Sequence, residues 1–113
     1  MMEEKKVILI LRKPPHGTLY PAECLRLGVA ISTLEPTIIA VDDGVYSYLK
    51  DADKGVYQQH IDFLAEIEIP LLVDKKSLEE RGLSKNDLID EVEIIESDIV
   101  KSKMLEGNLT IVF

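Results

Sequence analysis

The chain has 113 residues, of which 46% are hydrophobic and 30% charged, and its formal net charge is −8. One domain over residues 1–113 fits this length, and the acidic balance with scattered basic residues opposes direct binding to nucleic acid or to an anionic membrane. A single cysteine excludes an internal disulfide, and the short apolar run near the N-terminus cannot serve as a secretory signal or cross a bilayer, so we expect a cytoplasmic protein.

Apolar runs alternate with helix-like segments along the first half of the chain. Residues 7–11 are continuously apolar and partly β-branched, a pattern typical of a strand that is buried on both faces. Pro21 suits the first turn of a helix, which we predict over residues 21–33 and which is apolar around much of its surface. The following predicted elements are a strand (37–41), a short helix (45–49) and a longer helix (56–67).

The second half repeats this alternation with shorter segments. Residues 69–73 form a third apolar run, and Pro70 fits near the start of a strand, where a ladder donor can be spared. Ser77 and Glu80 have the spacing of a capping box, and the helix that this spacing predicts ends at Gly82. The remaining predicted elements are a short helix opened by Ser84 with Asp87, a strand (92–95), a helix from Ser97 to Gly107 and a final strand (109–113). This alternation predicts an α/β fold, a single three-layer α/β/α domain around a mostly parallel five-stranded sheet.

The loop after the first strand combines basic, hydroxyl and glycine residues. It contains Arg12 and Lys13, followed by His16, Gly17 and Thr18. Ligands of parallel sheets collect at the carboxyl ends of the strands, and positive charge with free backbone N–H groups holds anions. His16, Gly17 and Thr18 are therefore candidate ligand-binding residues. The alternative is an ordinary turn between strand and helix in which His16 makes only local hydrogen bonds.

Two adjacent carboxylates, Asp42 and Asp43, follow the second strand. They are candidate ligand-binding residues as a carboxylate pair or as magnesium ligands, and Asp also serves readily at helix starts. A response-regulator receiver domain has its acidic pair after the first strand, so the order of elements opposes that class of protein. Capping of the short helix beside Gly44 is the interpretation that we favour.

The one cysteine, Cys24, lies one turn into the first predicted helix. A thiol on an apolar helix face is most often a small buried hydrophobic group. A role as the catalytic thiol would need exposure to solvent and a pKa lowered by the helix N-terminus or by nearby basic residues. His16 and His60 have no zinc-ligand spacing, so we expect no metal site and no cofactor.

Three short motifs follow the first three strands in order: residues 15–18 (Pro-His-Gly-Thr), 43–46 (Asp-Gly-Val-Tyr) and 77–83 (Ser-Leu-Glu-Glu-Arg-Gly-Leu). With these motifs and the closing run at residues 108–113, the chain resembles the DsrE/DsrF-like family, and within it the DsrF/TusC type of sulfur-relay subunit. The resemblance implies a three-layer α/β fold that assembles into trimers or hexamers. It also implies a part in carrying persulfide sulfur, in tRNA thiolation or in sulfur oxidation.

The resemblance also bears on the sulfur-carrying thiol. In the DsrE/TusD members this thiol would fall near the end of the third strand, where residues 73–77 contain no cysteine. We therefore expect a non-catalytic accessory subunit that forms a homo-oligomer or binds related DsrE/TusD-type subunits. Its expected contact surface consists of the apolar first helix and the turn after the second strand, represented by Leu27, Ile31, Gly44, Val45 and Tyr46.

Two alternative functions stay open. The first is a sulfurtransferase in which Cys24 itself becomes a persulfide. The second is a homo-oligomeric module that binds a small anion or a nucleotide at the His16 and Asp42 end of the sheet.

Overall fold

One sheet of apolar strands forms the centre of the computed structural model, which describes residues 6–113. In this range the strands are β1 (Val7–Leu11), β2 (Thr37–Ala40), β3 (Leu71–Asp74), β4 (Val92–Ile95) and β5 (Leu109–Val112). The α-helices are α1 (Tyr20–Ala30), α2 (Gln58–Glu66), α3 (Lys75–Glu80) and α4 (Ser97–Glu106). Shorter 3-10 helices occupy Ser32–Leu34, Asp42–Tyr48 and Lys85–Asp87. None of the helices within this range is long and apolar enough to cross a membrane.

The strand order explains how the helices are distributed over the sheet. Among residues 6–113 the order is β4-β3-β2-β1-β5, and each neighbouring pair is parallel. Crossovers between parallel strands are right-handed. The steps from β1 to β4 run in one direction, so their helices lie on one face, whereas the return from β4 to β5 places α4 on the other. The predicted three-layer α/β/α domain is therefore confirmed, with a sheet that is parallel throughout the described range.

The two faces of the sheet carry unequal amounts of core. On the larger face, strand residues such as Leu9 and Ile38 pack against Leu25 of α1 and Leu64 of α2. The smaller cluster on the other face consists of Ile8, Ile10, Ile39, Leu72 and, from α4, Val100. Since burial of one such side chain contributes about 1.5–3 kcal/mol, the face covered by α1 and α2 supplies most of the apolar stabilisation.

Several element boundaries differ from the predicted ones, and two of the differences have a clear local reason. β3 begins at Leu71, which is the first residue to pair with β2, opposite Ile38. Pro70 therefore stays just outside the ladder, where its missing N–H costs nothing. The predicted short helix after β2 is a 3-10 helix that starts at Asp42 rather than at Val45.

The capping predictions had opposite outcomes. At α3 the prediction of a capping box from Ser77 is wrong, because the helix starts at Lys75 and is capped by Asp74. The Asp74 carboxylate accepts the backbone N–H of Ser77 at 3.2 Å. At the 3-10 helix that follows, the capping box between Ser84 and Asp87 is confirmed, and the Ser84 N–H donates to Asp87 Oδ2 at 2.9 Å.

Candidate functional site

The turn after β2 lies directly against the end of β1. The backbone N–H of Val41 donates to the carbonyl oxygen of Leu11 at 2.9 Å, and Gly44 packs against the same carbonyl group. A Cβ atom on Gly44 would overlap this oxygen, so the close approach requires glycine. The approach gathers the loops that follow β1 and β2 at one end of the sheet, which we call the carboxyl edge.

A hydrogen-bonded group that we call the Asp74 network connects three segments at the carboxyl edge. Asp74 Oδ2 accepts the hydroxyl of Ser77 at 2.6 Å, and Asp74 Oδ1 accepts the hydroxyl of Ser97 at 2.6 Å. The Ser77 oxygen in turn accepts the backbone N–H of Asp42 at 2.9 Å. Asp74 and Ser77 are buried. The network therefore joins the end of β3 to the turn after β2 and to the start of α4.

The arginine that directly follows α3 holds the turn after β2 from the other side. The Arg81 Nη2 and Nε atoms lie 3.0 and 3.1 Å from Asp43 Oδ1, and Arg81 Nη1 donates to the Ser77 carbonyl oxygen at 3.1 Å. The Arg81 side chain is only 19% exposed, so this contact is better shielded from water than an ordinary surface ion pair. Asp42 has a separate partner, because its carboxylate lies 3.5 Å from Arg12 Nε.

These contacts decide between the interpretations of the two carboxylates. Asp42 and Asp43 each face a guanidinium group, and the 3-10 helix begins after Val41 without a side-chain cap, so the favoured capping interpretation is wrong. Within residues 6–113, no group of three or more His, Cys, Asp or Glu side chains is placed to hold a metal ion. Asp43 thus anchors the turn to α3, while Asp42 stays exposed with a left-handed backbone (φ +50°).

The loop after β1 is a well-formed turn that carries an exposed imidazole. The Thr18 hydroxyl donates to the Pro14 carbonyl oxygen, and Gly17 adopts φ +69°, a conformation that favours glycine. The exposed His16 ring meets Tyr46 edge to face, with 6.3 Å between the ring centroids and 68° between their planes. The carboxyl edge therefore brings together His16 and Tyr46, whereas the Thr18 hydroxyl is used inside its own turn.

Cys24 is a core residue. Its side chain is fully buried among the residues of the larger cluster, and this burial raises the pKa of the thiol from 9.0 to about 12. A thiol in this state is protonated at neutral pH and inaccessible to a sulfur donor. A reactive cysteine needs the reverse, namely exposure to solvent and a lowered pKa. The buried-hydrophobe interpretation of Cys24 is the one that its surroundings support.

The predicted contact surface divides into buried and accessible parts. Gly44 and Val45 are buried within the chain itself, because they pack between the end of β1 and the larger core cluster. They cannot form a contact with another subunit, so the prediction is wrong for these two residues. Leu27 and Ile31 are partly buried against the core, and Tyr46 is half-buried beside His16.

Sequence reasoning missed Asp74 and Ser97, which build the site together with Ser77. Asp74 was assigned no role, although an Asp at the end of an apolar run with Ser three residues later has the spacing of a helix N-cap. Ser97 was assigned only to a helix start. Arg81 appeared as part of a motif, but its contact with Asp43 spans 38 positions and has no local signal.

The fold and this edge define a small parallel α/β sandwich whose ordered polar groups lie at the carboxyl ends of β2, β3 and β4. The family model of the DsrE/DsrF-like family matches residues 5–113, so the chain belongs to that family.

Relatives of known name or structure support this assignment. The chain is similar to the intracellular sulfur oxidation protein DsrF of Allochromatium vinosum, with 34% identity over 95 residues that cover 76% of this chain and 69% of the relative. The crystal structure of the YchN protein from E. coli has 25% identity and a TM-score of 0.84, covering 96% of this chain and 99% of its own. MTH1491 from Methanobacterium thermoautotrophicum shares the fold, with 17% identity and a TM-score of 0.68 over 98% of this chain and 100% of its own.

Proposed function

We propose that the chain is an accessory subunit of an intracellular sulfur-relay complex. It binds a relative that carries the persulfide, and it carries no sulfur itself. The similarity to a protein named for intracellular sulfur oxidation supports the sulfur pathway. Sulfur oxidation is therefore the first pathway to test, and tRNA thiolation is the second.

The observation that carries this proposal is the chemistry at the end of β3. The family resemblance places the sulfur-carrying thiol near this point, where the chain has Asp74 and Ser77. Both side chains are committed to hydrogen bonds inside the Asp74 network, and neither is a thiol. The one thiol of the chain is buried in the core with its pKa raised to about 12. A subunit built in this way has a rigid edge and no accessible sulfur nucleophile.

The partner that fits this proposal is a DsrE/TusD-type subunit with an exposed cysteine, with further copies of this chain as the alternative. The accessible part of the predicted surface is centred on Tyr46, which contacts His16 across the carboxyl edge. Leu27 and Ile31, at the C-terminal end of α1, form a second, partly exposed portion of that surface. Aromatic side chains held by a rigid turn are favourable anchors for a protein contact, because little conformational entropy is lost when they bind.

Affinity purification from the source organism tests the proposal. Wild-type chain is expected to co-purify with a small related protein that contains a cysteine, and the variants Tyr46→Ala and His16→Ala are expected to lose most of it. The matched control His60→Ala changes a histidine on α2 and should retain the partner. Retention of the partner by all three variants would place the contact elsewhere, and the absence of any cysteine-bearing partner would contradict the accessory role.

Binding of a small anion at the carboxyl edge is the second candidate function. Arg12, Lys13 and His16 are exposed in one loop of an otherwise acidic chain, which favours a negatively charged ligand there. Thermal unfolding with inorganic phosphate or sulfite measures such binding. A stabilisation that disappears in His16→Ala would support it, and an unchanged melting temperature would oppose it.

A further inference from the structure

The loop that leads from the 3-10 helix after β2 into α2 converges on one lysine ammonium group. Lys54 Nζ donates to the carbonyl oxygens of Leu49 at 2.5 Å, Ala52 at 3.0 Å and Lys50 at 3.4 Å. An ammonium group has three protons and no acceptor, so these three oxygens take its whole donor capacity. The Lys54 side chain therefore reaches back and fills the place of a small cation in its own loop.

The three carbonyl groups have little other use in the part of the chain that the structure describes. There, no backbone N–H donates to the carbonyl oxygen of Lys50 or of Ala52. The Leu49 carbonyl oxygen accepts, besides Lys54, the backbone N–H of Ala52 at 3.2 Å. Because backbone carbonyl groups are strong acceptors, these oxygens need another donor or a cation if the Lys54 side chain is removed.

Lys54 binds these neutral oxygens although two carboxylates lie in the same loop. Asp51 and Asp53 are both within three residues of it, yet Lys54 belongs to none of the ion pairs found within residues 6–113. Asp53 Oδ1 instead accepts the backbone N–H of Gly55 at 3.0 Å. Carbonyl oxygens are the ligands with which potassium replaces its hydration shell in proteins, and the nearby carboxylates add a potential that attracts cations.

The loop also connects two crossovers of the fold. The Lys50 N–H donates to the Asp87 carbonyl oxygen at 2.9 Å, beside an antiparallel bridge between Leu49 and Leu88. Leu88 is buried in the larger core cluster. A cation that holds the carbonyl groups of this loop therefore also holds the connection between β2 and α2 against the connection between α3 and β4.

We propose that residues 49–52 form a binding site for a monovalent cation, which the ammonium group of Lys54 fills in the native chain. A potassium or alkylammonium ion takes the same place when the Lys54 side chain is removed. Lys54 is thus a positioning residue that acts through the carbonyl groups of its loop. This inference concerns the loop alone and does not rest on the proposed function.

Thermal unfolding of Lys54→Ala in potassium, methylammonium and tetramethylammonium chloride at equal ionic strength tests the site. In tetramethylammonium, which is large and has no N–H, the variant is expected to melt roughly 5 °C or more below wild type. Potassium or methylammonium is expected to remove most of this difference. The matched control Lys50→Ala loses an exposed side chain and keeps all three carbonyl groups, so its difference from wild type should be small and equal in the three salts. An equal difference in the three salts for Lys54→Ala would overturn the proposal.

A measurement on the wild-type chain keeps the test decisive if Lys54→Ala fails to fold. Acetic anhydride acetylates a lysine only when its amine is free, so Lys54 must first leave its three carbonyl oxygens. In the folded chain Lys54 is expected to react roughly tenfold more slowly than the exposed Lys50, as mass spectrometry of the digested protein measures. In urea the two lysines should react at similar rates. Equal rates for Lys54 and Lys50 in the folded chain would show that the ammonium group does not occupy the site, and would overturn the proposal.

Discussion

Ser77 and Asp74 share a hydrogen bond of 2.6 Å at the point where β3 passes into α3. The pair is buried, and its outer bonds reach the backbone of Asp42 and the hydroxyl of Ser97. Because these bonds connect the ends of three strands, the position of the turn after β2 depends on two short polar side chains. This arrangement occupies the end of β3 with groups that hold the structure.

The first prediction concerns the Ser77 hydroxyl. Ser77→Ala should lower the free energy of unfolding by about 1–3 kcal/mol, because the Asp42 N–H and one oxygen of the buried Asp74 carboxylate lose a partner. Urea denaturation measures this change. Ser102→Ala, which removes an exposed hydroxyl bonded to the Asp98 carbonyl oxygen, is the control and should cost less than about 0.5 kcal/mol. Equal stabilities for the two variants would mean that the network contributes little.

The second prediction concerns the contact between Gly44 and Leu11. Gly44→Ala should destabilise the chain by about 3 kcal/mol or more, because a Cβ atom there overlaps a backbone carbonyl that cannot move without breaking β1. In Gly55→Ala the new atom meets only the flexible Asp53 side chain, so this control should stay close to wild type. The melting temperatures of Gly44→Ala and Gly55→Ala, each compared with wild type, measure this difference in stability. A Gly44→Ala variant as stable as the control would show that the turn does not press against β1.

The third prediction is a dependence of stability on alkaline pH. The Cys24 thiol has a pKa of about 12 in the folded chain, against 9.0 as its ordinary value. Between these values the unfolded chain releases the thiol proton and the folded chain retains it, so stability is fully present below pH 9 and is lost as pH rises. The slope from this group is about 1.4 kcal/mol per pH unit.

Urea denaturation at several pH values between 8 and about 10.5 measures this slope, because this range spans the ordinary pKa of a thiol. In Cys24→Ala the loss of stability with rising pH should be smaller. Tyr57 should still contribute to this loss, because burial raises the pKa of its side chain to about 12. Parallel stability curves for wild type and Cys24→Ala would show that the thiol already ionises in the folded state. That result would reopen the sulfurtransferase interpretation.

The fourth prediction concerns the ion pair between Arg81 and Asp43. A double-mutant cycle with Arg81→Ala and Asp43→Ala should give a coupling energy of about 0.5–1 kcal/mol, since Asp43 remains half-exposed. The coupling should decrease in high salt, because mobile ions screen an exposed pair. The pair between Arg12 and Asp42, both about half-exposed, is the comparison and should couple more weakly. A coupling energy near zero would leave the turn anchored by the Ser77 bonds alone.

Apolar runs predicted the fold well, because buried parallel strands leave a strong local signal. β1 and β4 have the predicted bounds, and α4 occupies the expected segment from Ser97. The prediction that Ser77 caps a helix is wrong because Asp74, which directly follows the predicted strand, caps α3 instead and accepts the backbone N–H of Ser77.

The candidate site was less predictable, since its contacts join residues that are far apart in the sequence. The motifs placed His16 and Tyr46 at strand ends, but only the fold shows that their rings meet. Gly44 and Val45 belong to a motif that looked like a surface turn, and the approach to β1 buries them. Local sequence patterns indicate which face of an element is apolar. They do not indicate which turn the rest of the chain will bury.

The most direct test of the accessory role is intact-mass analysis of the complex purified from its own host and exposed to a persulfide donor. The proposal predicts one added sulfur atom on a cysteine of the co-purifying partner, and no added sulfur on this chain, because Cys24 is buried and protonated. A sulfur adduct on Cys24 in the folded complex would contradict the proposal and would make this chain a sulfur carrier.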